Sequence, residues 1–391
     1  MRIAILGGLG LQGRAALFDL SRSAAVTGIV CADAAAPDLA RLGSLVDRSK
    51  VQFARIDASS SDAIASLLGG EVDVAIDLLP KPFMAGAMRA ALEAGIDLVT
   101  TNYVHGDADL DRRARAAGVA LMPECGLDPG IDLVIYGHAV KQFDEVHVLN
   151  SYCGGVPERD ACDNPLAYKI SWNWDMVIAS SMRDSVFVRN GRRVDVPAAR
   201  QHDTDVVHRI DVPGVGEMEA IPNGDALFYA DLLGVSGTIR ETGRYALRWP
   251  GWCAFWAPLK ALGFLSEEPV PGIAGGVTPR QFMGRHLEPR LQFRDDERDL
   301  VVMVNVFEGL SGGRRKRLTS TLTLRRDLDT GLLGMALGVG YPVSIVAQML
   351  ASGTITRKGL LSPAVDIPYE PFVAELARRG VEIIEEEVWL A

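Results

Sequence analysis

The sequence predicts an α/β protein in which an N-terminal doubly wound domain precedes an α+β domain built on a mostly antiparallel sheet. Three observations lead there. From residue 1 to about 125, short β-branched or apolar runs alternate with stretches of helical period. A glycine-rich turn follows the first of those runs. Beyond "CGLDPGIDLVIYGHAV" the runs lengthen and are punctuated by Asn-Gly, Pro-Gly and Gly-Gly. A chain of 391 residues exceeds one ordinary core, so domains are expected over 1–130, 131–340 and 341–391, the last a helical segment packing back on the first.

Candidate strands in the first domain are 2–6, 26–31, 51–56, 72–79, 97–101 and 119–123. Between them lie amphipathic stretches such as "DAIASLL" and "FMAGAMRAALEAG", the second stopping at Gly95 as a helix does. Strand, helix, strand in repetition implies right-handed crossovers and a parallel sheet. In the second domain, 145–155 and 205–222 read as longer strands with turns at Asn190-Gly191 and Pro213-Gly214. Residues 299–308 and 318–326 read as a hairpin pair joined across Gly312-Gly313, and "PVPGIAGGVTP" (269–279) as a linker or lid. The tail, "PVSIVAQMLASG" and "PYEPFVAELARRGVEIIEEEVWLA", reads as two helices with glycine at their ends.

Hydrophobic residues make up 48% of the chain but fall in short runs broken by charges, so no membrane span is expected. No basic and apolar leader opens the sequence, and a cytoplasmic location is expected. Five widely spaced cysteines, an odd number without a C-x-x-C pair or Cys/His spacing, imply reduced thiols and no metal site. A formal charge of -10 with pI near 5.2 argues against a nucleic-acid partner, and the basic RRKR at 314–317 reads as a solvated hairpin turn. A homodimer is expected, on the ground that an antiparallel sheet of this kind often supplies a dimer face.

Gly8-x-Gly10-x-x-Gly13 follows a strand and opens a helix, the context that gives this spacing meaning. Gly8 is expected to make the tight turn, Gly10 to let backbone approach a pyrophosphate, and Gly13 to let helix and strand pack closely. Gly8, Leu9, Gly10, Leu11, Gln12 and Gly13 would then cradle the phosphates on free amides at a helix N-terminus. This makes the first domain a Rossmann dinucleotide-binding domain. Asp33 ends the second strand 20 residues past Gly13, where a carboxylate accepts both ribose hydroxyls and repels a 2′-phosphate. No Arg follows before Arg41, so NAD is expected rather than NADP. Further candidates lie at the strand ends. Asp57 meets the adenine edge or caps the next helix; Leu78 and Leu79 would wall the nicotinamide ribose; Asn102 and Tyr103 close the fifth strand. Leu127, Asp128 and Pro129 belong to the turn in "ECGLDPGIDLVI", where Asp128 either caps a helix near Gly130 or serves the cofactor cleft.

"GGLGLQG", "CGLDPGID", "SYCGGVPERDACDNPLAYKISW", "RYALRWPGW" and "SGTITRKGLLSP" occur in that order over nearly the whole chain, and together they resemble the saccharopine dehydrogenase family. Its glutamate-forming saccharopine dehydrogenases and its lysine 6-dehydrogenase relatives both come close. "KISWNWDM" departs from both, with Asn173-Trp174-Asp175 where Ser-Pro-Arg stands in those relatives. The resemblance implies an NAD(P)-dependent oxidoreductase acting on the C–N bond at the ε-carbon of a lysine-type amino acid. Hydride leaves that carbon and water hydrolyses the iminium. Such chemistry needs acid–base groups, for which Asp128 and Tyr103 stand first by position and Cys153 and His105 behind them. It also needs cations for carboxylates, for which Arg248, Arg244 and Lys169 are the candidates. Arg244 reads equally as a surface charge and Lys169 as a snorkelling lysine. Trp172 and Trp174 read as stacking partners of substrate or cofactor, or as core. Two other readings compete: an NAD-binding regulatory module without turnover, and a dehydrogenase of a polyamine-like substrate, whose pocket Asp225 and Glu219 would line.

Overall fold

The computed structural model describes residues 1–38, 42, 45–273 and 275–391; Arg41, which entered the choice of dinucleotide, and Ala274 of the Pro/Gly-rich connector lie outside them. The chain divides into two compact units, Met1–His138 with Met335–Glu382, and Ala139–Gly334 with Ile383–Ala391. Residues 131–138 thus belong with the first unit, as does the chain from 335 to 382.

In the first unit the short apolar runs become β1 (Arg2–Leu6), β2 (Gly28–Asp33), β3 (Val51–Arg55), β4 (Val74–Asp77), β5 (Asp97–Thr100) and β6 (Ala120–Met122). With β15 (Gly359–Leu360) they form one parallel sheet of order β15-β6-β5-β4-β1-β2-β3. Ile3–Leu6 and Val74–Asp77 are fully buried, as strands covered on both faces must be. The order reverses at β1, between β2 and β4, so the ligand crevice of such a sheet lies at the carboxyl ends of these strands.

Helix α1 (Leu11–Arg22) packs against the long apolar helix Gly334–Ala351. Ser344 bonds Asp19, Ser23 Oγ donates to Gln348 Oε1 (2.7 Å), and Arg379 Nε donates to Asp19 Oδ1 (2.7 Å). Gly334–Ala351 is long and apolar enough to cross a membrane, yet 78% of it is buried within the protein; it is a core helix.

The second unit holds a nine-stranded mixed sheet. Its strands are β7 (Glu145–Pro157), β8 (Ser185–Arg189), β9 (Arg192–Val196), β10 (His208–Val212), β11 (Gly216–Pro222), β12 (Glu241–Arg248), β13 (Asp299–Ser311), β14 (Arg314–Arg325) and β16 (Ile383–Trp389). The main path is β10-β11-β12-β7-β13-β14-β16; β12 with β7 is parallel, and the other pairs are antiparallel. The predicted turns fall where expected. Asn190 and Gly191 both have positive φ (53° and 68°) between β8 and β9, as a two-residue hairpin turn requires.

One expectation fails at the C-terminus. Ile383–Trp389 is a strand, not the end of a helical segment, and it pairs with β14 from Lys316↔Trp389 to Leu322↔Ile383. Its glutamates face the basic cluster: Lys316 Nζ lies 3.3 Å from Glu387 Oε2, and Arg314 stacks on Trp389 at 4.5 Å. The RRKR run therefore heads a strand, and Lys316 is buried rather than solvated.

At the crevice edge, Asp77 ties β4 to β5. Its Oδ1 accepts from Leu79 N–H (3.0 Å) and its Oδ2 from Thr100 Oγ1 (2.9 Å). Burial pushes this carboxyl up to about 6, against the pull of those hydrogen bonds. The native state then holds the proton more tightly than the unfolded chain, so this contribution to stability is complete below the ordinary carboxylate pKa and is lost as pH rises through about 6. Between about pH 4 and 7, Asp77→Asn should gain about 3 kcal/mol on the wild type in denaturant unfolding; a gap between the two chains that does not change with pH would contradict this.

Candidate active site

The glycine loop begins one residue earlier than its spacing suggested. Gly7, not Gly8, makes the turn: it has φ +80°, donates to Ala32 O (2.8 Å), and a Cβ there would stand 2.9 Å from Leu78 O. β1 ends at Leu6, so Gly7 is the first residue free to turn, and Gly8 instead backs onto Cys31 Sγ. Gly13 has the expected role: a Cβ would come within 2.3 Å of Gly7 O, so only glycine lets α1 lie this close to the loop. Gly10 caps α1 with no side-chain acceptor, and the first intrahelical bond is Arg14 N–H to Gly10 O (3.0 Å). The amides of Leu11, Gln12 and Gly13 thus precede the helical ladder at the positive end of the dipole. Asp33 fastens the loop, Oδ2 accepting from Leu9 N–H (3.0 Å) and Oδ1 from Ala35 N–H (3.1 Å), with a further lone pair on each oxygen. This cradle fits the pyrophosphate and ribose of a dinucleotide.

Leu78 borders the loop, donating to Leu6 O (2.9 Å), and Asn102 Nδ2 reaches Leu79 O and Thr100 Oγ1, both at 3.2 Å. Asp57 is not the helix cap. It accepts from Ser59 N–H (2.9 Å) and Ser59 Oγ (2.7 Å), which hold its carboxyl below the usual range, while Ser60 caps the helix Ser61–Leu68.

The turn after β6 closes on itself. Gly126 N–H donates to Pro129 O (2.9 Å) and Asp132 N–H to Leu127 O (3.4 Å). Gly130, at φ +146°, leaves no room for a Cβ, which would lie 2.0 Å from Gly126 O. Asp132 Oδ1 accepts from Gly130 N–H (2.8 Å) at the start of the helix Ile131–Ala139, and Asp128 beside it is half-buried. Tyr103 sets its ring edge-on to His105 (centroids 5.8 Å apart), and His105 Nε2 lies 2.7 Å from Glu124 Oε1. Glu124 escaped the sequence reading; its one signal was a carboxylate at a strand end directly before "CGLDPG".

In the second unit, Arg248 is buried (6% exposed). Its Nη1 donates to Leu247 O (2.7 Å), its guanidinium stands 5.1 Å from the Trp252 ring and 5.4 Å from Tyr168, and its Nε has no hydrogen-bond partner. Its cross-strand neighbour Glu219 spends both oxygens on Gly251 and Cys253 N–H (3.0 Å each) at the head of the helix Trp252–Ala261. Two further groups surround it. His202, buried, is pushed down to about 3 by desolvation and then by Lys260 and Arg248; Lys260, pushed down to about 8 by burial, donates to Ser181 O (2.8 Å) and Ala198 O (2.6 Å). Sequence reading had singled out neither for this role.

Arg244 is buried, not a surface charge, with its guanidinium 4.6 Å from the Tyr229 ring. It heads a polar row across β12, β7 and β13, Arg244↔Ser151↔Asn305. Lys169 is neither clamp nor snorkel: 2% exposed, it binds both oxygens of Glu297 (2.7 Å) and Asp163 Oδ2 (3.0 Å). A buried ammonium so paired has no charge to spare for a ligand. Trp174 is core, its Nε1 donating to Gly284 O (3.0 Å), with Trp172 half-buried beside that cluster. Asn173, in the departing triplet, caps the helix Trp174–Ser180. Asp225 accepts from Leu227 N–H (2.9 Å), so both acids of the polyamine reading serve helix starts. Cys153 is buried on β7, and all five cysteines are free thiols. Among the described residues no group of three or more His, Cys, Asp or Glu is placed to hold a metal ion.

Comparison with known proteins matches residues 3–122 to the saccharopine dehydrogenase NADP binding domain and 126–381 to the saccharopine dehydrogenase C-terminal domain. The chain is similar to a saccharopine dehydrogenase [NADP(+), L-glutamate-forming] of Pyricularia oryzae, 28% identical over 81% of this chain and 84% of that one. It is also similar to the α-aminoadipic semialdehyde synthase of Arabidopsis thaliana, 26% identical over 86% of this chain, and spans only 39% of that longer protein. The fold is that of apo saccharopine dehydrogenase (L-Glu forming) from Saccharomyces cerevisiae, with TM-score 0.84, 24% identity and 99% of each chain covered. These matches support a nicotinamide cofactor and favour NADP, against the NAD expected from Asp33. The chain belongs to the saccharopine dehydrogenase family and is an amino-acid dehydrogenase of that family.

Proposed function

We propose that the chain is a saccharopine dehydrogenase of the L-glutamate-forming type, oxidising the secondary amine at the ε-carbon and releasing glutamate and an aldehyde. The observation that carries this reading is Arg248: a buried guanidinium with no carboxylate in ion-pair distance among the described residues, in a neighbourhood already positive through Lys260. A cation left so needs an anion to come to it. Saccharopine brings three carboxylates where lysine brings one, and a guanidinium grips a carboxylate with two parallel donors. When bound, the nicotinamide accepts the hydride. Each unit supplies its own part: in the second, Arg248 is the group for a carboxylate; in the first, Leu78 and Leu79 are the groups to shield the reacting ring, and Tyr103 and Asp128, beyond the carboxyl ends of β5 and β6, those to free the amine of its proton.

Absorbance at the nicotinamide band with saccharopine, lysine and a small amino-acid panel tests this directly. Reduction with saccharopine is expected; reduction with lysine alone would make the chain a lysine 6-dehydrogenase, and none with any amino acid would end the reading. Arg248→Met should raise the KM for saccharopine by a factor corresponding to about 2–4 kcal/mol, with dinucleotide affinity unchanged; an unaltered KM would clear Arg248 of the role.

On the dinucleotide, the relatives are named as NADP(+) enzymes, while Asp33 ends β2 with a carboxylate, the residue type that binds ribose hydroxyls and repels a 2′-phosphate at that position. We propose that Asp33 tips this chain toward NAD. Wild type should then show the higher kcat/KM with NAD, and Asp33→Ser should shift the NAD/NADP ratio toward NADP by about tenfold or more. A wild-type preference for NADP would overturn it.

A further inference from the structure

Glu124 combines two features that side chains seldom tolerate. Its backbone sits in the left-handed region (φ +58°), and its carboxylate is 3% exposed. A buried carboxylate requires a partner, and here the partner is an imidazole: Oε1 lies 2.7 Å from His105 Nε2. The strained backbone is held by two hydrogen bonds to the neighbouring strand end, Glu124 N–H to Asn102 O and Cys125 N–H to Thr100 O (3.0 Å each). Asn102 in turn holds Leu79 O, so the pair is stitched to the carboxyl edge of the sheet that also carries the glycine loop. Strain of this kind in a non-glycine residue is retained where the geometry it imposes is needed. What it imposes is the aim of His105, whose side chain is 37% exposed.

A carboxylate bound to one ring nitrogen selects the tautomer that donates from Nε2, leaving Nδ1 with a lone pair, and stabilises the imidazolium once formed. We propose that His105, positioned by Glu124, carries the protons of the hydrolytic half-reaction; this rests on the reading given under Proposed function. After hydride and its electron pair have left the ε-carbon for the nicotinamide, that carbon is doubly bonded to nitrogen. Water oxygen bonds to the carbon as the π pair moves to nitrogen, and His105 takes the released proton. It returns that proton to nitrogen, the C–N bond breaks with its pair on nitrogen, and the oxygen closes a carbonyl as its hydroxyl proton passes to His105 and on to the departed amine. Both water protons end on the departing amine and the oxygen on the aldehyde. Tyr103 and Asp128 keep the earlier task of freeing the substrate amine. Glu124 is a positioning residue.

The test uses the full chain and four variants, His105→Ala, His105→Gln, Glu124→Gln and His105→Ala combined with Glu124→Gln. Each is followed by kcat and KM with saccharopine, by NADH and NADPH fluorescence titration, and by added imidazole. His105→Ala should lose about 10²–10⁴-fold in kcat, keep its affinity for whichever dinucleotide the wild type binds, and regain at least about tenfold with imidazole. Glu124→Gln should lose kcat less severely, and adding it to His105→Ala should cost nothing further. A kcat within about threefold of wild type in His105→Ala, or a loss that imidazole does not restore, would overturn the assignment. Wild-type turnover is read first: if the wild type oxidises no amino acid, the function and this role fall together; if it turns over while His105→Ala keeps its kcat, only the role of His105 falls.

Discussion

The contact on which this protein depends is the one between the first strand's turn and the first helix. Gly13 lies so close to the carbonyl of Gly7 that no side chain fits between them. That closeness aims the head of α1 at the carboxyl edge of the sheet and leaves the amides of Leu11–Gly13 ahead of the helical ladder. Asp33, bonded to Leu9, keeps the loop in place and sets a carboxylate beside it. In the proposed reading, phosphate binding, the ribose contact and the location of the reacting ring all follow from that arrangement, because each is measured along the same sheet edge.

The second unit works by a contrast in how charge is buried. Lys169 sits inside with Glu297 and Asp163 and Arg294 around it, a closed set in which every charge has its answer. Arg248 is as deeply buried, yet its immediate surroundings are two aromatic rings and a carbonyl, and Glu219 beside it is taken by backbone amides. Sequence alone offered both cations as carboxylate clamps, Lys169 with a snorkelling alternative beside it. Their difference is a matter of partners 128 residues apart for Lys169, which no local pattern carries.

What local pattern did carry is clear from the elements that held. The strands of the first unit, the turns at Asn190-Gly191 and Gly312-Gly313, and the glycine loop all rest on neighbours within a few residues, where propensity and backbone freedom decide. Where partners are distant, expectation failed. "EIIEEEVW" reads as helix by composition, but a basic strand nearly seventy residues away draws it into the sheet. Glu124 gives no periodic signal, only its place directly before "CGLDPG"; its pairing becomes visible once β5 and β6 lie side by side and His105 comes within reach. The single-residue shift from Gly8 to Gly7 has a similar cause, since the spacing of glycines does not say where the strand before them stops.

Amide hydrogen exchange over Leu9–Gly13, with and without saturating nicotinamide dinucleotide, measures the seat of the cofactor without reference to turnover. Slowed exchange at Leu11, Gln12 and Gly13 is expected when the dinucleotide is added. Binding that leaves these three amides exchanging at their original rate would contradict a pyrophosphate held at the head of α1, and with it the chemistry assigned to this sheet edge.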